Sequence, residues 1–167
     1  MKKILSLTLA LAMLGTALTG CGSKTAAPET SVEPTQQTAP YQQEQSQTEK
    51  ALALINTFAT GDTDTARSLL SDGYIQHNLA YGTGADAFIG SVEYLASADV
   101  KTTVNNIRAF EDGDKVFLQT IYNFAGAGEQ VAFDIFRFDE DGKIVEHWDV
   151  METIADQSTW QNQNGKF

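Results

Sequence analysis

The hydrophobic period of this chain changes once, near Val100, and that change restricts the fold more than any other feature. Before it, apolar residues at Ala51, Leu54, Ile55 and Phe58 fall at i, i+3, i+4 and i+7, the single buried stripe of a helix, with Thr48 placed to cap it and Gly61 to end it. A second helix over 62–70 would bury Ala66, Leu69 and Leu70 ahead of the stop Ser71-Asp72-Gly73. A third over 85–96 carries Phe88, Ile89, Val92 and Leu95 on one side. After Val100 the period is two. Segments 102–111, 115–124, 129–138 and 143–151 read as strands, separated by Glu111-Asp112-Gly113-Asp114, Ala125-Gly126-Ala127-Gly128 and Asp139-Glu140-Asp141-Gly142. Three helices followed by a four-stranded antiparallel meander predict an α+β fold in which the helices cover one face of the sheet.

The third of these strands speaks for the other face. Val131, Phe133 and Ile135 point one way, and Ala132, Asp134, Phe136 and Phe138 the other, so neither side is built for water. A homodimer packed sheet to sheet is the economical way to cover the face that the helices leave.

Upstream of this domain the chain has a different character. Lys2 and Lys3 precede an apolar run from Ile4 to Leu18, the charged and hydrophobic regions of a secretory signal peptide. The run is shorter than the roughly 20 residues a spanning helix needs. It ends in Leu18-Thr19-Gly20-Cys21, which resembles the lipobox of bacterial lipoproteins. Residues 1–20 are therefore expected to direct export. Cys21, the only cysteine, is expected to take a thioether-linked diacylglycerol with two palmitate-type acyl chains, holding the protein on the outer side of the cell membrane, or in the periplasm or outer membrane of a Gram-negative cell. From Gly22 to about Gln47 the chain is Ser, Thr, Ala, Gln and Glu with all three prolines. Such a segment buries too little apolar surface to offset its ordering entropy and reads as a flexible tether. The division is thus 1–20 signal peptide, 21–47 lipidated Cys and tether, and 48–167 one globular domain.

With 22 acidic and 11 basic residues the net charge is −11. Removal of Lys2 and Lys3 with the signal peptide would make it −13. No electrostatic footprint for nucleic acid exists, and anionic headgroups would repel the domain.

Two histidines occur, in Tyr74-Ile75-Gln76-His77-Asn78 and in Glu146-His147-Trp148-Asp149. Histidine exchanges protons readily near neutral pH. Asp134 interrupts Val-Ala-Phe-Asp-Ile-Phe, where its neighbours are apolar. It is either held by Arg137 or Arg108, or it projects into an apolar pocket where it can serve as a general base. In the last strand Glu146 and Trp148 share one side and His147 and Asp149 the other, and either pair could line a cavity. A facial site of two histidines and a carboxylate lacks the helical His or Glu spacings such sites use, so no metal is expected. No nucleophile elbow, phosphate loop or dinucleotide fingerprint is present, and no cofactor is expected.

Taken in order, Tyr74-Ile75-Gln76-His77-Asn78, Asp112-Gly113-Asp114, Asp134-Ile135-Phe136-Arg137-Phe138, Asp141-Gly142-Lys143-Ile144-Val145-Glu146-His147-Trp148-Asp149-Val150 and Asn162-Gln163-Asn164-Gly165-Lys166-Phe167 resemble the SnoaL-like branch of the nuclear-transport-factor-2-like superfamily over about 120 residues. The resemblance implies a cone-shaped fold, a curved sheet wrapped around helices with a pocket at the open end, often dimeric through the sheet. It implies a cofactor-free cyclase chemistry in which a strand aspartate, here Asp134, takes a proton next to a carbonyl and the enolate closes a ring by aldol condensation. His77 and His147 would join it as catalytic residues. Tyr74, Asn78, Gln119, Glu146, Trp148 and Asp149 would bind the ligand, a small apolar or carbonyl compound. One departure stands out: the branch often carries a histidine where this chain has Gln119, which can donate a hydrogen bond but cannot shuttle a proton. The alternative to an enzyme is a lipoprotein that binds a small ligand without transforming it.

Overall fold

The computed structural model describes residues 45–167. The expected signal peptide, Cys21 and most of the expected tether lie outside them.

Helix α1 spans Gln47–Thr60. Its cap is Ser46 rather than Thr48: Ser46 Oγ accepts the Glu49 N–H at 3.1 Å while Glu49 Oε2 accepts the Ser46 N–H at 2.8 Å. This reciprocal capping box stabilises the helix by about 1 kcal/mol. Thr48 instead donates its hydroxyl to Glu111 Oε2 at 2.9 Å, fastening the helix to a distant strand. Gly61 ends α1 in the left-handed region at φ 74°. A Cβ there would stand 2.8 Å from Cβ of Ala96, so conformation and space both require glycine. Helix α2, Thr63–Leu69, is capped by Asp62, and helix α3 runs over Ala85–Ser97.

The sheet holds five strands, one more than the periodicity predicts. β1 is Leu70–Gln76, β2 Thr103–Asp112, β3 Lys115–Asn123, β4 Gln130–Phe138 and β5 Ile144–Thr153, in the order β1-β5-β4-β3-β2. The four strands read from the sequence form the antiparallel meander. The added β1 lies parallel to β5 at the edge, pairing Ile75 with Glu146 and Gln76 with His147 across an irregular register. Its residues Ser71-Asp72-Gly73 read locally as a stop, and the short helix ends one residue earlier than predicted, at Leu69. Only Leu70 and Tyr74 of the strand are buried, so it has no two-residue hydrophobic period to detect.

The three helices pack on one face of this curved, mixed sheet. Leu54, Ile55, Phe88 and Val92 meet Val116, Leu118, Tyr122, Ala132, Phe136 and Phe138 in one continuous core. Register breaks between Asn106 and Arg108, and between Arg137 and Phe138, add the local bend and twist that bulges bring. The outer face carries Phe110, Phe117, Phe133 and Val150, all substantially exposed. Phe110 pairs with Phe117 and Phe133 with Val150, so they form cross-strand apolar rows, as the alternation in β4 implied. Among the described residues no helix is long and apolar enough to cross a membrane.

Candidate functional site

A cavity of about 540 Å³ opens between the inner face of the sheet and helices α1 and α3. Its walls are mostly apolar, with Ile55 and Phe58 from α1, Phe88 and Leu95 from α3, and Phe136 and Met151 from the sheet. The strands contribute Gln76, Tyr122, Asp134, His147 and Asp149, and Tyr81 with Ser91 and Tyr94 of α3 adds hydroxyls from the helical side.

Asp134 is 4% exposed, and both its oxygens are engaged. Oδ2 accepts the hydroxyl of Tyr122 at 2.9 Å, and Oδ1 lies 3.2 Å from Nε2 of His147. The His147 ring stacks on Phe136 at 4.4 Å, and its Nδ1 lies 3.1 Å from Oε1 of Gln76. Gln76 Oε1 also accepts the backbone N–H of Asn78 at 2.9 Å. A backbone N–H can only donate, so that atom of Gln76 is an acceptor and His147 Nδ1 carries a hydrogen. The contact between Nε2 and Asp134 then needs one further proton. It sits on the imidazole, giving a carboxylate–imidazolium pair, or on the carboxyl, giving two neutral groups. In both states the pair keeps one exchangeable proton between two atoms.

Behind this pair, Asp149 lies directly across from Asp134 in the ladder, and Asn78 Nδ2 donates to both its oxygens at 2.7 and 2.9 Å. Tyr74 is buried, and its hydroxyl accepts from Gln76 Nε2 at 3.3 Å. Burial, followed by the charge of Asp134, holds the Tyr122 phenol well above its usual value of 10.0. Burial and the charges of Asp149 and Asp134 raise Tyr74 likewise. Both phenols release their protons more readily in the unfolded chain. Their contribution to stability is therefore complete below about pH 10 and is lost as pH rises beyond it. Tyr122→Phe should flatten this alkaline loss, read as the slope of urea-unfolding stability between pH 9 and 11; an unchanged slope would contradict the assignment.

The remaining candidates lie elsewhere. His77, Glu146 and Trp148 are on the opposite face of β5 from the cavity: His77 stacks on Trp148 at 4.7 Å and its Nε2 is 2.8 Å from Glu146 Oε1. Arg137 closes that cluster, with Nη2 at 2.6 Å from Glu146 Oε2. The hydrogen bond from His77, then Arg137, holds the Glu146 carboxyl below its usual range. With Arg137 committed to Glu146, the partners of Asp134 are Tyr122 and His147, and its carboxylate lies at the wall of the cavity. Gln119 also points outward, buried beneath the C-terminal segment and donating to the Lys166 carbonyl at 2.8 Å. It lies across the sheet from the cavity because Leu118 and Thr120 occupy the inward positions of β3.

Two site residues escape the sequence reading. Tyr122 has a detectable signal, since it shares the parity of Leu118 and Thr120 on β3. Gln76 has none without β1. A metal site of two histidines does not form, because His77 and His147 sit on opposite faces. Asp134, His147 and Asp149 do each bring a ligating atom within 4.8 Å of the others.

The family model described as a SnoaL-like domain matches residues 51–147. No curated protein matches the chain. Among solved structures, an NTF2-like protein of unknown function from Cytophaga hutchinsonii superposes with a TM-score of 0.57 at 16% identity, over 66% of this chain and 94% of that one. An LEH-like epoxide hydrolase from M. tuberculosis gives 0.56 at 18%, over 64% and 82%. IdmH from Streptomyces antibioticus, described as a proposed polyketide cyclase, gives 0.52 at 18%, over 65% and 93%. At these identities the likeness establishes the fold alone.

Proposed function

The chain belongs to the SnoaL-like domain family, and we propose that its cavity binds a small carbonyl compound and moves protons on it without a cofactor, with Asp134 as base. The observation that carries this reading is the Asp134–His147 contact of 3.2 Å, buried at one side of a mostly apolar cavity and completed by the Tyr122 hydroxyl.

The chemistry follows from the proton count. In its carboxylate–imidazolium state, Asp134 takes a proton from the carbon next to a ligand carbonyl. The C–H electron pair becomes the enolate, and an apolar surround strengthens every hydrogen bond to the developing oxyanion. The enolate carbon then attacks a second carbonyl of the same molecule. The new alkoxide takes the His147 proton, and Asp134 returns its own to the imidazole. Atoms and charge balance, and only the ligand's bonding has changed.

Deuterium incorporation at C1 of 2-tetralone in D₂O, followed by proton NMR, tests the first step. Exchange above the buffer rate supports the base. Binding of the ketone with no exchange would leave the other reading, a ligand-binding lipoprotein, in its place. Two further elements belong to the same proposal. Cys21 carries the lipid anchor, so Cys21→Ser should shift the protein from the detergent to the aqueous phase of a Triton X-114 partition. The rows of Phe110, Phe117, Phe133 and Val150 meet their symmetry mates in a homodimer, which sedimentation equilibrium checks.

A further inference from the structure

The cavity's charge is not balanced by the protein. Asp134 and Asp149 are directly opposed across β4 and β5 and face the same side, an arrangement that destabilises a sheet. Both fall within the 4.8 Å cluster around His147. The one proton shared between His147 and Asp134 offsets one negative charge. Asp149 has hydrogen bonds from the neutral Asn78 amide, which orient its carboxylate without cancelling its charge. Among the described residues no lysine or arginine lines the cavity. An uncompensated carboxylate beside a largely apolar space is costly to keep.

The rest of the wall supplies the complement. Phe58, Phe88 and Phe124 form a contiguous aromatic group, with Phe58 4.9 Å from Phe88 and 5.7 Å from Phe124, and Tyr122 stacks on Phe124 at 4.9 Å. Aromatic faces attract cations that have shed their water. The net charge of −11 concentrates cations around the molecule. We propose that the carbonyl ligand of this cavity also carries an organic ammonium group, its cationic nitrogen near Asp149 and its apolar body against the aromatic wall. A bare metal ion matches the carboxylates but leaves the apolar wall and most of the 540 Å³ without a partner. This inference rests on the reading of the cavity as the ligand site and names the class of molecule that site selects.

The test compares trimethyl(4-phenylbutyl)ammonium with its neutral carbon isostere, 5,5-dimethylhexylbenzene, titrated into the purified full chain and into Asp149→Asn by ligand-observed NMR. The cation should bind at least about tenfold more tightly than the isostere. Asp149→Asn should cut the cation's affinity by about threefold to tenfold and leave the isostere's unchanged, which also certifies that the variant's cavity is intact. Equal affinity for the two probes overturns the charge preference while the cavity reading stands. Failure of both to bind overturns the cavity reading with it. Binding of zinc chloride that is lost in Asp149→Asn, with no binding of the ammonium probe, would reassign the cluster to a metal.

Discussion

Asp134→Asn should lower the rate of deuterium exchange into a bound ketone by about 10²- to 10⁴-fold, the range a positioned general base contributes, with ketone affinity changed by no more than a few-fold. The substitution suits the site because the amide can reproduce both contacts of the carboxylate. Its oxygen accepts the Tyr122 hydroxyl, now 2.9 Å from Oδ2. Its NH₂ donates to His147 Nε2, which is free to accept because Gln76 already holds the hydrogen on Nδ1. The variant should therefore fold and keep its pocket, and what it lacks is a group that can take a proton. Steady exchange in Asp134→Asn at the wild-type rate would remove Asp134 from the chemistry. A collapse of affinity together with rate would mean that it serves binding rather than proton transfer.

Phe136→Ala should destabilise the domain by about 3–5 kcal/mol, measured by urea unfolding with an unchanged denaturant slope. Phe136 is 1% exposed, lies centrally in β4, and supports the His147 ring in a near-parallel stack at an interplanar angle of 11°. Truncation removes this face from the core cluster and leaves a void that a strand held on both sides cannot close. A loss of this size is a large part of the stability of an ordinary domain. A cost below about 1 kcal/mol would show that the wall of the cavity repacks freely. The same variant frees the His147 ring to turn, so exchange activity in the surviving folded fraction should fall as well.

How far these features were legible in the sequence depends on the range of the interaction that decides them. Phe88, Ile89 and Val92 on a helix, and the alternation of Asp134 with Ile135 and Phe136, are statements about one segment, and both held in the structure. The capping hydroxyl was displaced by two residues because Ser46 and Thr48 are both competent caps. A pairing with Glu111, 63 residues away, claims the second. β1 could not be read at all. Its Ser71-Asp72-Gly73 segment is a plausible stop, and its strand character comes from the edge of β5 rather than from its own residues.

The site divides along the same line. Periodicity put Asp134 on the side of Ala132 and Phe136, and put His147 with Asp149 against Glu146 with Trp148, because successive side chains on a strand must alternate. It did not say which of the last two pairs faces the cavity. That was decided when β5 paired with β4, setting His147 across from Phe136 and Asp149 across from Asp134. The pairing of β1 with β5 sent His77 outward toward Glu146 and Arg137 and brought in Gln76, while the alternation along β3 put Tyr122 on the cavity side and Gln119 under the C-terminal segment. The sequence by itself determined the α+β class, the meander of β2 to β5, and the aspartate set among apolar neighbours, since each follows from spacing along one segment. Only the tertiary structure decided which histidine meets that aspartate, because the inward face of a strand is chosen by the strands and helices packed against it, and these come from far along the chain.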